Sequence, residues 1–374
     1  MILKTKGRTA DITESIIGRV TRDIDNFDYE ILISENYGFS RDWYRFKAVL
    51  SYAPTATLEL PVVHSIPVLD HLDEGDIVII NTDGVINTIY RQASNHNFLL
   101  FTERCNSNCL MCSQPPKDKD DTDYFFHQYS KTIPLIPKDC VELGITGGEP
   151  TLLGDRFFLL LQQLKDELPE TEIHCLTNGR SFAWWNVAQK LGEMDYSRLV
   201  LAIPLYSDVY HIHDYIVQAK DAFNQTIQGI YNLASYGQRI EIRIVLHKQT
   251  IPRLAKLARF IYKNLPFVEH VAFMGLEHEG YTAYNIDKLW IDPADYQEEL
   301  SEAVTFLSDF GMNVSIYNAQ LCTLPKALWK YSRKSISDWK NVYFEECNKC
   351  SVLEECGGLF ASAAKKHSKF ITAI

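Results

Sequence analysis

With 374 residues, 46% hydrophobic and 12% aromatic, the chain can bury a sizeable core as one large domain with appendages or as two domains, and it is no disordered polymer. A formal charge of −11 weighs against general nucleic-acid binding, since phosphate backbones attract basic surfaces, but it leaves room for a local basic pocket. No apolar run approaches the ~20 residues that span a bilayer, and Met1-Ile-Leu-Lys-Thr-Lys lacks the apolar core of a secretory signal. The expected location is the cytoplasm, where thiols stay reduced. Nine cysteines in that setting point to metal chemistry rather than disulfides.

In chain order, the stretch up to about Arg91 reads as β-rich. Tyr29–Ser34, Trp43–Leu50 and Asp76–Ile80 are strand-like runs, and Glu74-Gly75-Asp76 and Asp83-Gly84 mark turns of a small barrel or sandwich. This part (1–95) carries no evident catalytic chemistry and is expected to dock or stabilise.

From Asn97 the pattern alternates. Strands are expected at Phe98–Thr102, Val141–Thr146, Ile173–Thr177, Leu199–Leu205, Ile240–Leu246 and Val268–Met274. Helices are expected at Arg156–Leu168, Asp221–Tyr236, Pro252–Asn264 and Pro293–Phe310. Repeated strand–helix units require a parallel sheet, because parallel neighbours need crossover connections. The expected fold class is α/β, an open six-unit (β/α) barrel over 96–312, with a cysteine-bearing tail over 313–374. In such folds functional groups gather at the carboxyl ends of the strands.

Directly after the first of these strands stands Cys105-Asn-Ser-Asn-Cys109-Leu-Met-Cys112, a C-x3-C-x2-C array. A tight loop of this spacing can aim three thiolates at one point. On a four-iron cluster, three thiolates leave one iron without a protein ligand and open to a substrate or cofactor. Zinc would need a fourth ligand, and none stands nearby at the usual spacing. With 9 cysteines in 374 residues, a given cysteine begins such an array by chance only about once in 1,700 cases.

This loop resembles the signature of the radical S-adenosylmethionine (SAM) superfamily, and the resemblance runs from about Asn97 to Phe310. It implies a partial (β/α)6 radical SAM barrel in which Cys105, Cys109 and Cys112 hold a 4Fe-4S cluster. The open iron of that cluster would chelate the methionyl group of SAM and deliver the electron that releases a 5′-deoxyadenosyl radical. Met111 occupies the position before the third cysteine, usually aromatic in the superfamily, where a thioether can pack on adenine.

Further residues follow from the same resemblance. Gly147-Gly148-Glu149-Pro150 stands where the superfamily binds the SAM ammonium through backbone carbonyls; alone it would be a plain turn. Asn178, in Thr177-Asn178-Gly179, is expected to line the SAM pocket, although Asn-Gly is first of all a turn dipeptide. Ser207 and Asp208, and Met274 and Gly275, are placed to reach ribose and adenine or are ordinary loop residues. On the fifth strand Glu241 and Arg243 share one face. Arg243 either binds a carboxylate such as that of SAM or pairs with Glu241 at an exposed edge, the two readings being equally weighted. His211, His213 and Asp214, on an expected loop, read as surface or substrate-contact residues rather than a metal site. Cys140 and Cys175 read as small buried fillers.

The tail carries Cys347-Asn-Lys-Cys350 and Cys356, a C-x2-C-x5-C array, with Cys322 upstream. Four thiolates can saturate zinc. The spacing also resembles auxiliary 4Fe-4S clusters of peptide-modifying radical SAM enzymes, and that reading is preferred, with Cys322 the least secure ligand. The phrases Leu100–Pro116, Gly144–Leu153 and Ser335–Trp339 resemble the C-type maturases of the His-Xaa-Ser repeat system. That likeness implies a peptide substrate with His-Xaa-Ser repeats, a sister radical SAM maturase, a small accessory protein and an electron donor such as flavodoxin or ferredoxin. A small-molecule or RNA substrate, or a non-catalytic cluster-bearing subunit, are the alternatives.

Overall fold

The computed structural model describes residues 3–34, 41–54, 60–335 and 341–374; Ile336–Trp339 of the tail phrase lie outside the described residues. The chain divides into two compact units, one made of 1–99, 123–143 and 159–171, the other of 100–122, 144–158 and 172–374.

The first unit is built on β1 (Lys4–Lys6), β2 (Arg8–Ala10), β3 (Ile16–Thr21), β4 (Ile31–Ser34), β5 (Ala48–Ser51), β6 (Val62–His64), β7 (Ile77–Ile80) and β8 (Val85–Tyr90). Their order is β1-β8-β7-β3-β4-β5-β6-β2. The two outer strands are therefore joined by a single residue, Gly7, and this one segment pairs with β8 through its first half and with β6 through its second, which brings the two ends of the sheet together as in a barrel. Ile31, Ile33, Ala48, Leu50, Val78 and Ile80 alternate into its interior. On the opposite face Leu32, Val49 and Val62 pack with Trp43, Phe46 and Leu60. Burial on both faces explains why β4 and β5 read as unbroken apolar runs. The expected strand Trp43–Leu50 is corrected here. Arg41–Arg45 form a 3-10 turn and β5 starts only at Ala48. Trp43 and Phe46, three residues apart, enter the same cluster, which is helical rather than strand spacing.

The second sheet contains β9 (Asn97–Leu100), β10 (Glu142–Thr146), β11 (Glu172–Leu176), β12 (Leu199–Pro204), β13 (Arg239–Val245), β14 (His270–Met274), β15 (Val314–Tyr317) and β16 (Ser332–Arg333). The strands lie in chain order, and every pairing from β11 to β16 is parallel. The six expected strands are all present. The structure adds β15 and the two-residue β16, too short to stand out by periodicity.

The helices are α1 (Thr122–Thr132), α2 (Asp155–Glu167), α3 (Trp185–Gly192), α4 (Tyr210–Val217), α5 (Ala222–Ala234), α6 (Leu254–Asn264), α7 (Tyr281–Tyr284), α8 (Ile286–Leu289) and α9 (Gln297–Asp309). In α6, Leu254, Leu257, Ala258 and Ile261 form the buried stripe, the i, i+3, i+4, i+7 pattern of a helix laid on a sheet. Among the described residues no helix is long and apolar enough to cross a membrane.

At the closure point a side chain on Gly7 would put its Cβ 2.6 Å from the His64 carbonyl oxygen and 2.6 Å from a Val63 methyl group. Gly7→Val is expected to destabilise the barrel unit by about 1–3 kcal/mol, read by calorimetry as a lowered transition midpoint.

Candidate active site

Strand β9 ends at Leu100, and the chain enters the cysteine loop through Thr102–Arg104. The backbone after β10 lies directly against this entry. Gly148 N–H donates to Thr102 O at 2.9 Å and Glu149 N–H to Arg104 O at 2.8 Å. A Cβ on Gly147, whose φ is +152°, would fall 2.4 Å from Thr102 O, and one on Gly148 would fall 2.1 Å from Arg104 O and 2.9 Å from Cys105 Cβ. Only glycines fit here, because the cysteine loop itself fills the space a side chain would take.

Glu149 is fully buried and caps the 3-10 turn that begins at Pro150. Its carboxylate accepts from Thr151 N (3.2 Å), Thr151 Oγ1 (2.6 Å), Thr177 Oγ1 (2.7 Å) and Asn178 N (2.7 Å). Burial pushes its carboxyl upward, while these donors pull the other way. The side chain therefore ties the loops after β10 and β11 together, and its oxygens are engaged within the protein. Asn178 Nδ2 donates to Asn106 Oδ1 at 2.6 Å, which brings the Thr177-Asn178-Gly179 turn onto the cysteine loop.

Two neighbours were not singled out from sequence. Arg180 bonds the Asn106 carbonyl, Ser107 Oγ at 3.0 Å and Gln225 Oε1 at 2.8 Å, gripping the residues between the first two cysteines. Tyr206, at the end of β12, is buried with Leu110 and Met111. Burial first, then the charges of Cys109 and Cys112, drive its phenol well above the ordinary value. An aromatic residue at a strand end was the available signal for Tyr206; Arg180 gave none, since it acts through a turn. From the other side, Asn108 N and Leu110 N donate to the Val217 and Ile216 carbonyls at the end of α4, at 3.0 and 2.9 Å.

Cys105, Cys109 and Cys112 thus lie together. Burial first and then neighbouring charge raise the thiols: Cys105 to about 11 with Glu149 and Cys112 adding, and Cys109 further with Cys105 and Cys112 adding. Cys112 is raised by burial. Met111 is buried beside Tyr206, Ile216 and Leu289.

Other expected residues are placed differently. Ser207 is fully buried and its Oγ accepts from Val209 N at 3.1 Å, while Asp208 forms a two-bond pair with Arg253 at 2.6 Å each. Arg243 is neither unpaired nor at an exposed edge. Its Nε donates to Glu241 Oε1 at 2.7 Å, and Glu241 Oε2 meets His270 Nδ1 at 2.7 Å, with all three groups largely buried. Burial alone would raise Glu241, but His270 and Arg243 outweigh it and hold the carboxyl at about 2. The expected loop at His211–Asp214 is corrected: it lies on α4. There His211 is exposed, while His213 is buried with Nδ1 accepting from Tyr206 N at 3.3 Å, and burial lowers it to about 4. Asp214 caps Asp221 N and Phe223 N. The three side chains diverge.

In the tail, Cys322, Cys347, Cys350 and Cys356 line one small enclosed cavity with Tyr343 and Thr372. Cys322, the least secure member by sequence, shares it: burial first, then the charges of Cys356 and Cys347, raise its thiol. Cys175 is fully buried in β11, and Cys140 is half-buried with its thiol on the Glu142 carbonyl.

A parallel α/β sheet with thiols gathered at the strand ends beside a glycine turn defines the class of protein. Residues 99–261 match the family model of the Radical SAM superfamily. A curated relative, "Uncharacterized protein MJ0907" of Methanocaldococcus jannaschii, is 24% identical over 174 residues, 44% of this chain and 58% of the relative; the match thus spans little more than half the relative's length. Streptococcus suis SuiB bound to S-adenosylmethionine aligns over 75% of this chain and 76% of its own, at 14% identity and a TM-score of 0.51, a likeness of fold. SuiB bound to precursor peptide SuiA aligns over 60% of this chain and 49% of its own, at 15% identity and a TM-score of 0.47.

The superfamily implies a 4Fe-4S cluster and SAM, and the donor set suits them. Three thiols stand on one loop, near enough to act on one another's charge, and that of Cys112 donates to Gln114 O at 2.9 Å. Among the described residues, no three His, Cys, Asp or Glu side chains converge on a single ion-sized point.

Because its folded pKa is depressed below the ordinary 4.5, Glu241 stabilises the fold above pH 4.5, and that contribution is lost as pH falls toward 2. In the metal-free chain the loss is expected to be on the order of 3 kcal/mol. Glu241→Gln is expected to flatten the acid limb of the stability profile, measured by denaturant titration at successive pH values.

Proposed function

We propose that the protein is a radical SAM enzyme that modifies a ribosomally made peptide of the His-Xaa-Ser repeat type. The observation that carries the reading is the packing of the Gly147-Gly148 backbone against the entry to Cys105, which fixes that turn beside the loop of Cys105, Cys109 and Cys112. When bound, a 4Fe-4S cluster with one open iron would supply the electron that cleaves SAM to a 5′-deoxyadenosyl radical.

The chain's own residues do the positioning. Cys105, Cys109 and Cys112 hold the cluster. The backbone at Gly147 and Gly148 receives the SAM ammonium, and Asn178 borders the same pocket. Met111 and Tyr206 give it an apolar, water-poor wall. Glu149 and Pro150 fix the turn from behind. Arg243 brings a guanidinium whose charge Glu241 already balances, so it contributes its remaining N–H donors rather than an unmatched charge. Ser207 shapes the loop after β12.

In the tail, the shared cavity of Cys322, Cys347, Cys350 and Cys356 supports an auxiliary 4Fe-4S cluster. The peptide substrate class rests on the likeness to His-Xaa-Ser maturases in the three phrases quoted above. SuiB, whose fold is similar, is itself solved with a precursor peptide. A sister maturase, a small accessory protein and a flavodoxin or ferredoxin donor in the cytoplasm complete the proposal, with the barrel at residues 1–95 as the docking domain.

Anaerobically reconstituted protein is expected to form 5′-deoxyadenosine from SAM and to change the mass of a His-Xaa-Ser repeat peptide. Cys105→Ala/Cys109→Ala/Cys112→Ala protein should do neither, and 5′-deoxyadenosine formed by that variant would sink the mechanism. Iron and sulfide analysis should give about eight irons per chain, for two four-iron clusters. About four irons together with zinc would assign the tail to zinc.

A further inference from the structure

The peptide carbonyls between the second and third cysteines face a packing problem of their own. The turn satisfies only the first of them, with Cys112 N–H donating to Cys109 O at 3.0 Å. The carbonyls of Leu110, Met111 and Cys112 point away from it, and Leu110 and Met111 are buried. Buried carbonyls need partners. All three find them in one short segment, far away in sequence.

That segment is α7 and α8, which follow β14. Tyr281 N–H donates to Cys112 O at 2.8 Å, Thr282 Oγ1 to Met111 O at 2.9 Å, and Asn285 Nδ2 to Leu110 O at 3.0 Å. Thr282 is fully buried, and so is Leu289, which packs on Leu110 and Met111. Gly280 allows the approach: its φ is +55°, and a Cβ there would lie 2.4 Å from Cys112 O and 2.5 Å from Ser113 O. Both halves of the contact are therefore shaped to each other.

Because a peptide unit is planar, fixing a carbonyl also fixes the N–H of the next residue. Three consecutive bonds thus set the peptide planes carrying the amides of Met111, Cys112 and Ser113. Amide dipoles around the thiolates tune an iron–sulfur cluster and its retention.

We propose that Thr282 and Asn285 are positioning residues for the cluster, clamping the Leu110–Cys112 backbone so that Cys109 and Cys112 are presented in a fixed orientation. The inference rests on the reading that these cysteines hold the cluster. Its physical core, the clamp on the backbone, is testable without the cluster.

The test compares the parent with Thr282→Val/Asn285→Leu, which keeps shape and removes both side-chain donors, and with Thr282→Ser, which keeps the hydroxyl. In the metal-free full chain, hydrogen–deuterium exchange of residues 108–114 should be faster in the double variant and parent-like in Thr282→Ser. After anaerobic reconstitution, iron release to a ferrous chelator should be roughly 10-fold faster, and the electron paramagnetic resonance signal of the reduced cluster should shift. A merely structural role would leave that signal unchanged once the variant folds. Parent-like exchange, iron release and signal in the double variant would overturn the proposal. Should that variant fail to fold, single Thr282→Val against Thr282→Ser decides the same question by the same three measurements. If the parent itself takes up no cluster, the functional reading fails, and the exchange measurement still decides the clamp.

Discussion

The site depends on a backbone-to-backbone contact that leaves no space for a side chain. The turn after β10 is hydrogen-bonded to Thr102 and Arg104 so closely that a methyl group on Gly148 would collide with the Arg104 carbonyl and with Cys105. Two strand-end loops are thereby locked into one surface, and the first thiol is fixed relative to the glycine turn. Everything else at the site is added to that contact.

Glu149 carries the lock outward. A carboxylate buried in the protein interior is tolerated because its oxygens accept four hydrogen bonds, from both the β10 and β11 loops. Arg180 and Asn178 extend it to Asn106 and Ser107, and the end of α4 receives Asn108 and Leu110. The cysteine loop has little regular structure of its own, so these neighbours satisfy its polar backbone and determine its shape. A loop held in this way can be pre-formed before any cofactor arrives, which lowers the ordering cost of binding.

The second sheet shows a different solution to buried charge. Glu241, Arg243 and His270 compensate one another across β13 and β14. Removing one member would leave the others exposed to the full desolvation penalty, which is why the group acts as a unit. Arg243 accordingly enters the site as part of a network and not as a lone cation seeking an anion.

Much of this was legible along the chain. The cysteine spacing, the Gly-Gly-Glu-Pro turn, the six strands β9–β14 and the apolar stripe of α6 are local patterns, fixed by periodicity and by the few residues a tight turn tolerates. Sequence alone therefore determined the parallel sheet and the thiol loop at its strand end. It offered a Glu241–Arg243 pair and Cys322 as a fourth tail thiolate, but it did not reveal that Gly7 joins the two outer strands of the first sheet, that His270 completes the buried Glu241–Arg243 group, or that His213 is buried on a helix. Nor did it show Arg180, or Thr282 and Asn285, reaching the cysteine loop. Each of these depends on groups distant in sequence becoming neighbours. Such pairings arise from how the layers pack, and no local pattern encodes which buried donor will meet which acceptor.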